Sequence, residues 1–288
     1  IFIMLGHIGK AQNLAAMPVQ FEKNVINFFP ITAAREMYEP FHKLKYSFAA
    51  TYFDQMRNAV PKVAKEKGAK KVCTMYQDDE FGLEVLRGAE AGLKAAGMEF
   101  VEKTSYKRGA TDFSSQVSKM QASGCDMIVL GTIIRETIGA IGTARKLGYN
   151  PTFLGSSAAY TDLIHKLGGP AMNGLYATST VQNPYLDDAS PAISFWAKKY
   201  KTKFNEDPTV FSVYGYNIVD TFAVAAGKAG ANLSTESFIK AMDTMKIPPD
   251  IFGSAEATFS PTKRLGSDAS RLSQITDGKW KPVSEYFK

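Results

Sequence analysis

The sequence predicts an α/β protein built on doubly wound parallel sheets, and three observations predict it. Apolar, strand-like runs alternate with stretches whose apolar residues recur at helical spacing. Short breaks carrying glycine separate them. The length of 288 residues exceeds one ordinary domain and suits two domains with proper cores.

The block over residues 70–134 shows the pattern most clearly. Lys70-Lys71 leads into Val72-Cys73-Thr74-Met75-Tyr76, which reads as a buried strand. Asp78-Asp79-Glu80 and Phe81-Gly82 follow. From Leu83 the spacing Leu83, Leu86, Ala89, Leu93 and Ala96 marks one face of a helix, which Gly97 ends. A strand over 99–103, a helix opened by Thr111-Asp112-Phe113-Ser114 and running to Met120, and an apolar run over 126–130 complete the alternation. In such sheets ligands collect at the carboxyl ends of the strands, here residues 76–81 and 131–136.

The other elements follow in order. Ile1-Phe2-Ile3-Met4-Leu5 reads as a buried strand that stops at Gly6-His7-Ile8-Gly9, before a helix over about 12–22. Residues 25–29 form the next strand, ending in the polar turn Pro30-Ile31-Thr32-Ala33-Ala34-Arg35. A helix over 52–67 is closed by Gly68. Beyond the central block come a helix over 136–147, a strand over 152–154 and the turn Gly155-Ser156-Ser157-Ala158. A short helix over 161–167 and a strand over 174–178 follow. After Asn183-Pro184 the spacing predicts a helix over 190–204, amphipathic through Phe195, Trp196 and Tyr200, and a long apolar helix over 211–229. Ser234 caps another helix. The tail holds Ala257-Thr258-Phe259, a strand over 271–275, the hairpin turn Asp277-Gly278 and a last stretch around Trp280.

Composition narrows the function classes. The chain is 45% hydrophobic and 22% charged, as a globular protein is, and no run approaches the length of a membrane span. The net charge of +6 is spread along helices instead of clustered, which reads as a solvated surface and not as a nucleic-acid footprint. Cys73 and Cys125 lie at or beside predicted buried strands, where cysteine behaves as a small hydrophobe. A disulfide between them is an open alternative with no spacing signal in its favour. The chain opens directly on a strand-like run, with no initiator methionine or signal segment, and so reads as an N-terminally truncated fragment.

Each chemical motif has a plainer alternative. Gly6-His7-Ile8-Gly9 lacks the second half of the phosphate-binding fingerprints and reads as a strand-to-helix turn, with helix-start amides that suit a carboxylate. Asp78-Asp79-Glu80 cannot all face one cation and reads as loop and helix-start charge. Ser156, Ser157, Asp162 and His165 lack a nucleophile elbow, so catalysis is not assigned. Arg135, just past a strand end, has the fork to grip a carboxylate; a plain exposed arginine is an equal reading. Tyr214 and Tyr216 read first as core aromatics and second as a ligand wall.

Taken together and in order, these residues resemble a known family, the periplasmic solute-binding proteins of ABC importers, in the Leu/Ile/Val-binding branch with the type I periplasmic binding fold. The resemblance spans essentially the whole chain. It rests on Gly6-His7, Phe29-Pro30-Ile31-Thr32-Ala33, Tyr76-Gln77-Asp78-Asp79-Glu80-Phe81-Gly82, Gly92-Leu93-Lys94-Ala95-Ala96-Gly97, Thr111-Asp112-Phe113-Ser114 and Ala144-Arg145-Lys146-Leu147-Gly148. It implies two doubly wound lobes joined by three crossings near Ala50-Thr51, Thr180-Val181 and Ser267-Asp268, closing on a ligand as a hinge. Lobe one is then residues 1–50 plus 181–267, and lobe two 51–180 plus 268–288. Lobe one is expected to lack about two strand-helix units and to show an exposed sheet edge.

The resemblance also implies a ligand site at Lys10, Ala11, Ile31, Thr32, Ala33, Phe81, Ile133, Arg135 and Ser157, with Tyr214 kept as a further candidate. Amino-acid binders of the branch place an acid where this chain has Ser157, and commonly a tyrosine where it has Phe81. Lys10 and Arg135 add positive charge, so the expected ligand is a small carboxylate, an organic acid (aromatic in one version) in preference to a zwitterion, with an amino acid as the other option. The implied protein is a periplasmic or extracellular, monomeric, non-enzymatic receptor. Its partners are a small solute and the permease subunits of the membrane, with no cofactor, metal or nucleic acid. A ligand-sensing domain of a regulator or receptor with the same fold is the alternative.

Overall fold

The computed structural model describes residues 1–288. The first third holds β1 (Ile3–Leu5), α1 (Lys10–Glu22), β2 (Ile26–Phe28), β3 (Lys45–Tyr46), α2 (Tyr52–Lys67), β4 (Val72–Gln77) and α3 (Glu80–Ala95). Next come β5 (Phe100–Tyr106), α4 (Ser114–Ala122), β6 (Met127–Gly131), α5 (Ile134–Lys146), β7 (Thr152–Gly155), α6 (Asp162–Gly168) and β8 (Tyr176–Ser179). The last part holds α7 (Pro191–Phe204), α8 (Val210–Ala229), α9 (Thr235–Met242), β9 (Lys246–Ile247), β10 (Ala257–Thr258), β11 (Arg271–Thr276) and β12 (Lys279–Pro282). Contacts divide the chain into two units, Ile1–Thr51 with Val181–Asp268, and Tyr52–Thr180 with Ala269–Lys288.

The first unit carries a three-stranded parallel sheet in the order β1-β2-β3, with Ile3 opposite Ile26 and Asn27 opposite Lys45. Every residue of β2 is buried, as expected of a central parallel strand covered on both faces. On one face α1 packs Met17 against Ala34 and Met37, with Leu14 and Phe21 beside them. Phe28 meets Phe238 of α9 edge-on at 5.3 Å, and Phe238 stacks on Phe222 of α8. The short ladder β9-β10 is antiparallel. One expectation is corrected here. The opening run is not a buried strand: β1 is the sheet edge, pairs only with β2, and leaves Met4 and Leu5 exposed.

The second unit holds a seven-stranded sheet in the order β12-β11-β8-β7-β6-β4-β5. The five strands from β8 to β5 run parallel, while β11 pairs antiparallel with β8 and with β12. The sheet is therefore mostly parallel, with an antiparallel hairpin closing one side. That hairpin turns at Asp277-Gly278, both at positive φ as a tight two-residue turn requires. β4 and β6 are buried along almost their whole length. Helix α2 buries Met56, Ala59, Val60 and Val63, and α3 buries Val85, Ala89 and Leu93. No helix is long and apolar enough to cross a membrane.

One open alternative is decided and two expectations change. Cys73 and Cys125 form a disulfide with their Cα atoms 5.9 Å apart. Parallel pairing of β4 with β6 brings together two cysteines whose sequence spacing said nothing. The α3 helix starts at Glu80, ahead of Leu83, because Asp79 caps it. On α7 the core face is carried by Ile193 and Ala197, while Phe195 is 71% exposed on the opposite side. Phe195 lies two positions from Ile193 and Ala197, and at 100° per residue that turns it away from them.

Candidate functional site

Apart from Tyr214, which lies on α8, the expected site residues of each unit follow parallel strands at their carboxyl ends, so topology brings them to one end of a sheet. In the first unit these are the turn after β1 and the loop after β2. Gly9 sits at φ 96 as the N-cap of α1, a conformation that favours glycine. The buried Asn13 donates to the carbonyls of His7 and Gly9 at 2.7 Å and accepts from Asn27 at 3.2 Å. The two segments are also zipped by backbone bonds, Ile31 N to His7 O and Gly9 N to Ile31 O. The Gly9 amide is thus engaged by the Ile31 carbonyl.

Lys10 opens α1 with its side chain only 5% exposed, and its Nζ lies 3.0 Å from Glu36. Its charge is therefore matched inside the unit. Ala11 is exposed, Ile31 and Ala33 are half-buried, and Thr32 is buried. Ahead of them Phe29 holds a φ of 48, which a bulky side chain rarely adopts. Such strain collects at ligand clamps. Phe29 stands 5.4 Å from Phe48, which stands 5.9 Å from the buried Tyr214 of α8. Tyr216 is half-exposed against Trp196 and Phe252 instead of lying in the core, because it points away from Tyr214's face of the helix.

In the second unit the neighbouring parallel strands β4, β6 and β7 place three loops side by side. After β4, Asp79 accepts from the amides of Phe81 and Gly82 at 3.0 and 3.1 Å. Burial opposes the Asp79 charge, but the Arg108 guanidinium, the Gly82 amide and the Gln77 side chain outweigh it and hold its pKa below the ordinary value. The Phe81 ring, buried, meets Tyr52 edge-on at 5.0 Å. After β6, Ile133 is exposed and its carbonyl accepts from Thr137 at 2.6 Å. Arg135, 62% exposed, reaches the adjacent Glu136 at 3.1 Å.

After β7, Ser157 is held by a residue that sequence reading missed. Gln55 of α2 donates to Ser157 Oγ at 2.9 Å, and its carbonyl oxygen accepts from Ser157 N at 2.9 Å and from Thr178 at 2.7 Å. A signal for Gln55 was present. It is a polar residue in line with Tyr52, Met56 and Ala59 on the apolar face of a helix, and a buried amide there needs partners. Glu36 and Glu136, the carboxylates that match Lys10 and Arg135, were missed as well.

A relative from Brucella abortus (strain 2308), Leu/Ile/Val-binding protein homolog 8, is 23% identical over 198 residues, covering 67% of this chain and 49% of the relative. The chain thus spans about half the length of the curated relatives it matches. Among solved structures, a branched chain amino acid ABC transporter protein from Thermus thermophilus with bound valine superposes with a TM-score of 0.85 at 18% identity, over 97% of this chain and 76% of that one. A fatty acid ABC transporter substrate-binding protein from Thermomonospora curvata gives 0.85 at 22% identity, over 99% and 75%. At such identities the likeness is one of fold. The family model described as periplasmic binding protein matches residues 1–279, nearly the whole sequence, and the chain belongs to that family.

Proposed function

We propose that this chain is the solute-binding component of an ABC importer of the branched-chain-amino-acid class. It works outside the cytoplasmic membrane and hands to its permease a small carboxylate-bearing solute that lacks an α-ammonium. Binding, not chemistry, is its activity. The Cys73–Cys125 disulfide fits an oxidising compartment.

Ser157 carries the ligand class. The resemblance assigns this position to an acid in amino-acid binders, and here it is a neutral hydroxyl tied to Gln55. An α-ammonium brought against it would lose hydration without gaining a counter-charge, which is costly in a desolvated site. Phe81 and Ile133 offer apolar surface, and Arg135 offers a guanidinium with donors beyond the one that Glu136 takes. Lys10 adds no net charge, because Glu36 matches it. The solved neighbours named above include both a fatty-acid and a valine protein, so the choice between ligand classes rests on Ser157 and not on them.

Titration calorimetry against leucine, octanoate and benzoate tests the reading. An acid without an ammonium is expected to bind at least about tenfold tighter than leucine, and tighter binding of leucine would replace the organic-acid reading with a branched-chain amino-acid one. Arg135→Ala is expected to weaken the acid by about 2–5 kcal/mol. Ser157→Glu is expected to weaken it too, through like charge.

A further inference from the structure

The first turn of α5 sets a buried carboxylate beside the arginine that the proposed function uses. Arg135 is the second residue of the helix, where the helix dipole disfavours a cation. The next residue, Glu136, is only 2% exposed. One of its carboxylate oxygens accepts from Arg135 Nη2 at 3.1 Å, and the other is buried with no hydrogen-bond partner. The phenol oxygen of Tyr106, at the end of β5, is likewise buried and unpartnered. Burial, and after it the charge of Glu136, pushes the Tyr106 pKa upward. A buried carboxylate satisfied on one side only depends on the cation beside it.

We propose that Glu136 sets the charge selectivity of the site, acting through Arg135. Its carboxylate lies against the guanidinium, so an approaching anion meets a matched pair and not a free cation. Glu136 is a positioning residue: it touches Arg135, and its negative charge subtracts from the pull that Arg135 exerts on a carboxylate. The inference rests on the reading of Arg135 as a ligand residue. Glu136→Gln keeps the shape and an acceptor for Arg135 and removes only the charge.

The test compares benzoate with its neutral isostere benzamide, by calorimetry on the whole chain. Glu136→Gln is expected to raise the benzoate-to-benzamide affinity ratio about tenfold, the scale of one unit charge several ångströms away in a partly screened site. Glu136→Asp keeps the charge and is expected to leave the ratio near its original value. A merely structural role would move both ligands together. Should Glu136→Gln fail to fold, Glu136→Met removes the charge without leaving an unpaired amide and carries the same expectation. An unchanged ratio in a folded, charge-free variant overturns the inference. Arg135→Ala separates the two levels. If it weakens benzoate while the ratio stays fixed in Glu136→Gln, only this inference fails. If it leaves benzoate binding intact, the reading of Arg135 fails and this inference fails with it.

Discussion

Asp79 ties the β4–α3 connection to the loop after β5 through one carboxylate. It caps α3 through the amides of Phe81 and Gly82, receives Arg108 at 2.7 Å, and accepts from the side chain of Gln77. The cap seats Phe81, and the adjacent Gly82 lies so close to the Gln77 carbonyl that an added Cβ would come within 1.9 Å of it. Asp79→Ala is expected to cost about 1 kcal/mol, the usual loss for an N-cap, while Asp79→Asn keeps most of the cap. The pKa of Asp79 lies below its ordinary 3.8 in the folded chain. Its stabilisation is therefore complete above the unfolded value and is lost as pH falls through the lower, folded value. Urea midpoints at pH 7 and pH 3 check this: the gap between the wild type and Asp79→Asn is expected to shrink at the lower pH.

Helices α2 and α3 approach each other backbone to backbone. A Cβ on Gly88 would come 2.4 Å from the Phe53 carbonyl oxygen, and one on Gly92 would come 2.3 Å from that of Arg57. Neither obstacle is a flexible side-chain end, so the helices would have to separate. Gly92→Ala is expected to destabilise by about 1–3 kcal/mol although alanine is the better helix former, because overpacking outweighs propensity. A thermal melt that rises for Gly92→Ala would contradict this packing. The same helix pair carries Gln55 and Phe81, so separating the helices is also expected to loosen the Ser157 contact. The glycines of α3, at positions 82, 88 and 92, were legible in the sequence. Their partner was not, since neither the sequence of α2 nor that of α3 says which helix lies alongside.

Over the whole chain, the disulfide acts on the unfolded state more than on the folded one. It closes a loop of 52 residues around β4, α3, β5 and α4, with Asp126 binding the amides of Lys70 and Lys71 beside it. Cys73→Ser with Cys125→Ser is expected to cost about 2–4 kcal/mol by restoring freedom to the unfolded chain. Chemical denaturation with and without reductant measures it, and identical midpoints would show that the bond contributes nothing. By itself the sequence determined the α/β alternation, most helix bounds, the helix-ending glycines and the final hairpin turn. Those follow from residue spacing and backbone preference, which are local. It also carried the family resemblance. What only the tertiary structure decided was pairing: Cys73 with Cys125, Gln55 with Ser157, Lys10 with Glu36, and Arg135 with Glu136. Each depends on which segments the sheet order brings side by side, and periodicity along one segment holds no information about its neighbour in space.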